Sequence, residues 1–241
     1  LQQREIDALK RACLYSFIPN KLGYCGPPGS WEAFLAFISS PSEEQAPGVR
    51  QLLRHFFALH PYLELIAKAN EKSAFDPEII EAYWIGSDLL LNVQFSEFQK
   101  TILSFQRSGL PRPIAEKKAA CLPDGLLPHH SAHVLYVNFI SKNVPPLIEN
   151  LGNCLIQWAE VKSESEKGIE ARGIGLFSEG GEFKILEKAK KILDPFKISP
   201  KPGDFVSVHW GNAIETLSEE SLESLKKFTL LNLAALTPKS R

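Results

Sequence analysis

Methionine is absent from this 241-residue chain, long apolar runs are absent too, and neither sign of charge is in excess. No stretch approaches the roughly 18 consecutive apolar residues that a membrane helix needs, so no membrane span is expected. Lys and Arg total 27 against 28 Asp and Glu, a formal net charge of −1. The balance holds on both sides of residue 150, with 14 basic and 15 acidic residues before it and 13 of each after. A broad nucleic-acid surface wants clustered excess Lys and Arg, and that class is excluded. The four cysteines, Cys13, Cys25, Cys121 and Cys154, form no Cys-x-x-Cys pair. Free thiols in a reducing, cytoplasmic setting are therefore expected. The segment Leu1 to Lys10 is charged and helix-like, with no apolar leader region or cleavage site. Internal repeats and low-complexity tracts are lacking, and the glycine spacing fits neither phosphate-loop signature.

What is present is an ordinary globular composition, 44% hydrophobic and 23% charged. The length allows one large domain or two of usual size. Up to about Asn150 the periodicity is helical. Ile6, Leu9, Cys13, Leu14 and Phe17 recur at three- and four-residue spacing. Ser30 reads as a cap for a helix from Trp31 to Ile38. Val49 to Leu59 reads as a helix ended by Pro61, and Tyr62 to Ala69 as the next. Asp76-Pro77-Glu78 combines a cap, a first-turn proline and an acid at the positive end of the dipole. Ser96 to Ser108 places Phe98, Ile102 and Phe105 on one face. Leu110 to Pro128 is proline-rich and reads as irregular or as a short helix around Lys117, and His133 to Ile140 as strand or helix.

After Leu151 the period shortens. Cys154 to Val161 and Ile169 to Phe177 are β-like runs around a charged turn, Glu164 to Gly168. Ser178 to Gly181 makes a hairpin into Phe183 to Leu186. Phe205 to His209 alternates as a strand does, and Ser218 caps a final helix from Glu219 to about Ala235. Five short strands in so little chain suggest a small closed barrel. The expected fold class is α+β, with an all-helical domain at residues 1–150 and a five-stranded barrel plus C-terminal helix at 151–241.

The barrel segment carries a specific pattern. It opens with Cys154-Leu155-Ile156-Gln157-Trp158-Ala159-Glu160-Val161 and closes with Gly203-Asp204-Phe205-Val206-Ser207-Val208-His209-Trp210-Gly211-Asn212-Ala213-Ile214. This resembles the small hydrogenase-maturation chaperones of the HypC/HupF type over residues 151–230. The resemblance implies an OB-like five-stranded barrel and a role in carrying the iron–cyanide–carbonyl centre to the large-subunit precursor of nickel–iron hydrogenase. Another maturation protein is the other partner it implies. Carried over residue by residue, Cys154 binds partner and iron, and His209 supports it; thiolate and imidazole both suit iron. In that family the cysteine is N-terminal. Here Cys154 is internal and has no amine beside its thiol, and Trp158 and Ala159 stand where the family has proline and glycine. Phe17-x-Pro19-Asn20-Lys21-Leu22-Gly23-Tyr24-Cys25-Gly26-Pro27, Glu81-Ala82-Tyr83-Trp84-x-Gly86 and Pro128-His129-His130-Ser131-x-His133 are similar to an uncharacterised prokaryotic family that fuses a helical domain to such a barrel.

Other residues are read from their chemistry alone. Cys25 sits among glycines on a tight loop, as a nucleophile, a metal ligand or merely a small residue in a turn. His129, His130 and His133 are half of the six histidines. On a helix, His129 and His133 would share a face as a metal pair; otherwise the cluster is a capped helix start. Glu64 and Glu81 are acids in apolar stretches and would need partners if buried. Tyr83 and Trp84 read as core or as part of a second site with them. Trp210 is expected to face away from His209 and, if exposed, to anchor an interface. The lysine-rich stretch Glu187 to Lys191 reads as a solvated face.

Three functions compete on this reading. The first is a hydrogenase-maturation accessory protein that presents Cys154 and His209 at the barrel edge. The second is an enzyme built on Cys25, His129, His130 and His133 with the barrel as scaffold. The third is a metal-free interaction module, since fold alone does not fix function.

Overall fold

Asp76 and Pro77 do start a helix: Asp76 is extended, Pro77 occupies the first turn, and the helix runs to Trp84. In the computed structural model, which describes residues 2–141, 144–166 and 168–237, the helices before it are α1 (Gln3–Lys21), α2 (Ser30–Ser39), α3 (Ala46–Arg54) and α4 (Leu59–Ala69), and Pro77–Trp84 is α5. There follow α6 (Phe95–Ser104), α7 (Arg112–Ala120), α8 (His130–Ala132) and α9 (Ile148–Cys154). Leu1 and Lys167, the latter within the turn expected over Glu164 to Gly168, lie outside the described residues.

Several boundaries differ from expectation for local reasons. The helix expected over Val49–Leu59 stops at Arg54, and Pro61 lies in the first turn of α4. There its missing N–H leaves no intrahelical bond unmade. Gly29, in the left-handed region, takes the cap position before Ser30. The run Ser96–Ser108 divides into α6 and a 3-10 turn, Phe105–Ser108. After the single turn of α8, His133–Val137 forms a π-helical turn that ends at Asn138, whose φ is +55°. Such turns widen a helix and often mark functional positions.

The second half holds β1 (Gln157–Ser165), β2 (Gly168–Glu179), β3 (Glu182–Ile192), β4 (Phe205–His209), β5 (Asn212–Leu217) and the final helix α10 (Glu219–Leu236). The molecule is α+β. The strands form one antiparallel sheet in the order β3-β2-β1-β4-β5. A parallel bridge from Leu193 to Asn212 joins the end of β3 to the start of β5. β3 runs through the lysine-rich stretch, where Glu187, Lys188, Ala189 and Lys191 are exposed and Lys190 is half-buried. Cys154 does not open a strand: it is the last residue of α9, and β1 begins at Gln157.

The apolar core crosses residue 150. Ile156, Ile214 and Leu217, with Leu222, Leu225 and Phe228 of α10, belong to the same buried cluster as Leu9, Tyr62 and Tyr83. Phe228 packs on Gly86, where a Cβ would stand 2.3 Å from the ring. Burying one such ring stabilises the fold by on the order of 2 kcal/mol. On the same helix Asn232 accepts from the Leu127 N–H at 2.7 Å. It donates to the Leu127 carbonyl and to Ser131 Oγ at 3.0 and 2.9 Å. By these contacts α10 clamps α8, the helix that carries His130. A smaller core inside the sheet contains Ala159, Val161, Ile169, Val206 and Val208.

Candidate functional site

Where the sheet meets the helices, a cavity of about 40 Å³ opens among buried side chains. It exceeds the roughly 10–15 Å³ that one water requires. α1 supplies Ser16 and Pro19, the glycine loop Cys25, the α3–α4 connection Phe56 and Phe57, and α5 Tyr83 and Trp84. His130 comes from α8, His133 from the π-turn, Cys154 from the end of α9 and His209 from the end of β4. Among the described residues no charged side chain lines it.

Three of these side chains form a cluster. One donor atom from each of His130, Cys154 and His209 lies within 4.8 Å of the others. Cys154 Sγ is 4.0 Å from His130 Nε2, and the two imidazole centroids are 5.6 Å apart and nearly perpendicular. Cys154 is 7% exposed and His209 2%, so the thiol is not at an open barrel edge as expected. The neighbours that cover it, Val134, Leu135, Ile140, Leu151 and Leu176, come largely from the π-turn and α9.

Hydrogen bonds assign the tautomers. His209 Nδ1 faces the carbonyl of Tyr15 at 2.9 Å; a carbonyl only accepts, so Nδ1 carries the proton and Nε2 a lone pair. Nε2 makes no hydrogen bond of good geometry, the Cys154 backbone being a second polar neighbour of the ring. An imidazole held by its far nitrogen on a backbone carbonyl, with the near nitrogen open, is the arrangement seen in metal-ligating histidines. His130 donates from Nε2 to the Cys154 carbonyl at 2.9 Å and accepts at Nδ1 from Tyr83 Oη at 3.0 Å. Three more buried polar atoms on residues of the cavity wall lack partners: Ser16 Oγ, Trp84 Nε1 and His133 Nδ1. Buried polar atoms are nearly always satisfied, so four orphans around one cavity fit a site built for a polar or metallic guest.

The electrostatics are those of a neutral, low-dielectric pocket. Burial pushes the Cys25 thiol up to about 12 and raises that of Cys154, with each other's neighbourhood adding to the Cys154 shift. Burial lowers His133 and His209 to about 4 and His130 well below its usual value. Tyr83 is raised well above the ordinary tyrosine value by burial and by Tyr62, Cys25 and Cys154. At neutral pH all these groups are uncharged.

The positions expected from the sequence divide cleanly. Cys25, His130, His133, Tyr83, Trp84, Cys154 and His209 all line one cavity, so the two sites read separately are one place. His129 stays outside it. It caps α8 by accepting from the Ser131 N–H, its Nε2 contacts the Trp84 carbonyl at 3.3 Å, and its ring faces Phe228. The expected His129–His133 pair fails because α8 is only one α-turn before the π-turn. Glu64 and Glu81 are surface acids, with side chains 63% and 43% exposed, paired with His60 and Arg11. Trp210 is not an exposed anchor; it packs against Tyr24 at 4.7 Å. Sequence reading missed Tyr15, whose role depends on contacts across nearly 200 positions, and Ser16, which lines the cavity; neither leaves a local signal.

No curated protein and no solved structure matches the chain. A family model does match, over residues 9–240, which takes in the glycine loop, the histidine cluster, the sheet and α10 together. The chain therefore belongs to DUF6390, a family of unknown function.

Proposed function

We propose that this protein is an accessory protein of nickel–iron hydrogenase maturation that shelters an iron centre in the cavity between helices and sheet. The observation that carries the reading is the open Nε2 of His209 beside the Cys154 thiol and His130 in a buried, uncharged pocket. The donor set suits a soft, borderline metal: one thiol and two imidazoles, with no carboxylate. The sheet order, with the Leu193–Asn212 bridge joining its ends, supports an OB-like closed barrel. The resemblance of residues 151–230 to the HypC/HupF type supports iron as the cargo and the large-subunit precursor or another maturation protein as the partner, in the cytoplasm.

On this reading the chain's own residues act in three ways. Tyr15 holds His209 with its lone pair inward. Cys154 gives up its proton as sulfur binds the metal, so burial of the free thiol is relieved only when cargo is present. The apolar wall excludes water from the cargo. Because Cys154 is covered, release to a partner requires the π-turn and α9 to part, so the protein stores the centre instead of displaying it. The enzyme reading is weaker here. A nucleophilic cysteine wants a lowered thiol pKa, whereas Cys25 is raised, and among the described residues His130 and His209 are held by backbone carbonyls and Tyr83, not by a carboxylate.

The test is anaerobic purification from a hydrogenase-expressing host, followed by infrared spectroscopy in the metal-bound carbonyl and cyanide region. Bands present in the native protein and lost in Cys154→Ser and His209→Ala are expected. Their absence from the native protein, with the host's own chaperones loaded, would overturn the iron-centre reading.

A further inference from the structure

We propose that Cys25 is the second thiolate of the site, so that a divalent ion arriving without anionic ligands is held by Cys25, Cys154, His130 and His209. The inference deepens the metal-binding reading above and rests on it. Charge decides it. Among the described residues no carboxylate or other charged side chain lines the cavity. A divalent ion bound by Cys154 thiolate and two neutral imidazoles would leave one uncompensated positive charge in an apolar enclosure, which is strongly unfavourable. One more thiolate makes the complex neutral, and Cys25 is the other thiol in the wall.

Geometry supports the assignment. Cys25 lines the same cavity as His130, Cys154 and His209. Its backbone is held firmly: Asn20 Nδ2 donates to the carbonyls of Cys25 and Pro27 at 2.7 and 2.8 Å, and Asn20 Oδ1 accepts from the Trp31 N–H at 2.7 Å. The Cys25 thiol is not one of the three donors within 4.8 Å of each other. Ligation therefore requires the thiol to turn about Cα–Cβ toward the other three donors, with the backbone held by Asn20. For His130 to contribute Nε2, its ring must turn away from the Cys154 carbonyl and give up that 2.9 Å bond, with the ring proton carried on Nδ1 instead. On loading, two S–H bonds break, two metal–sulfur bonds form, two protons leave to solvent, and no electron is transferred. Two sulfurs and two imidazole nitrogens make the tetrahedral set that zinc and cobalt(II) favour. The set ties α1's following loop to α8, α9 and β4, so an ion here fastens the two halves of the chain together.

The experiment is an anaerobic titration of the reduced, full-length protein with cobalt(II) chloride, read in the near-ultraviolet thiolate-to-cobalt band and the visible bands of tetrahedral cobalt. X-ray absorption of the zinc-loaded native protein counts sulfurs with no variant at all. Expected are one tetrahedral cobalt with two sulfurs, half the charge-transfer intensity in Cys25→Ser and in Cys154→Ser, and no change in Cys121→Ser. A native spectrum with one sulfur, unchanged by Cys25→Ser, would overturn the role of Cys25 while leaving Cys154 and His209 as ligands. No stoichiometric binding of cobalt or zinc by the native protein would overturn this inference and leave the infrared test to decide the iron-centre reading separately.

Discussion

The carbonyl of Tyr15 accepts the Nδ1–H of His209 at 2.9 Å, across 194 positions of sequence. That single bond fixes which imidazole nitrogen faces the cavity. Tyr15 is itself held twice, by its ring stacked on Trp84 at 4.9 Å and by its hydroxyl, which donates to Glu215 Oε1 at 2.8 Å and lies 2.9 Å from Ser207 Oγ. Arg11 pairs with the same Glu215.

Substitutions at these two residues separate support from ligation. Tyr15→Phe keeps the carbonyl and the ring, so metal affinity is expected within about threefold of native while stability falls by about 1–2 kcal/mol. His209→Ala is expected to weaken cobalt binding by well over tenfold and to destabilise by about 1–3 kcal/mol through the orphaned Tyr15 carbonyl. Isothermal titration and urea unfolding on the two variants check both arms. Equal affinity losses would refute the division of roles.

Stability is expected to fall in mild acid. The folded-state values of His129, His133 and His209 are lowered to about 4, chiefly by burial, and that of His130 is lowered further. The unfolded chain takes up protons near 6.5, before the native one does. The contribution is therefore complete above that pH and is lost as pH drops from about 6.5 toward 4, by about 1.4 kcal/mol per pH unit for each ring. Urea midpoints at pH 7, 6 and 5 should decline at an increasing slope. A flat profile would mean that these rings are protonated in the native state.

Thiol reactivity should single out one residue. Cys121 is exposed, Cys13 and Cys154 are buried, and burial raises the thiol values of Cys13, Cys25 and Cys154. In metal-free native protein, brief alkylation followed by peptide mass spectrometry should label Cys121 at least about tenfold faster than the others. Fast labelling of Cys154 would show that the cavity opens readily.

The glycine loop offers a test of how tightly the cavity is walled. Gly26 has φ +78°, and a Cβ there would lie 2.3 Å from the Phe56 ring; Gly23 has φ +73° and open space around it. Gly23→Ala should carry only the left-handed backbone penalty of about 1–2 kcal/mol. Gly26→Ala should exceed it and weaken cobalt binding as well, since Phe56 forms part of the wall. Comparable losses in the two variants, by urea unfolding, would show that Phe56 moves aside freely.

Much of this architecture is legible in local chemistry. Asp76-Pro77, Ser218 and the alternation of Phe205–His209 mark their elements within a residue or two, because caps, first-turn prolines and pleats act over a few positions. The Val49–Leu59 run does not show its break, since a proline in a first turn and one ending a helix look alike before the neighbours are known. At the site, Cys154 and His209 are singled out by a motif in and just before the sheet segment. Their meeting with Cys25, His130 and Tyr83 does not follow from that motif, because it is made by α10 drawing the helical half against the sheet. Glu64 and Glu81 show the converse: apolar sequence neighbours on a helix lie around its circumference and say little about the burial of the residue between them.

The clamp of α10 on α8 also orders events during synthesis. Cys25 and His130 leave the ribosome long before His209, and Phe228 and Asn232 follow later still. A nascent chain therefore exposes Cys25 and His130 with no finished pocket around them, and the cavity closes only once Phe228 and Asn232 have been added. Any guest of the cavity thus meets a finished wall only after α10 has joined the helical half to the sheet.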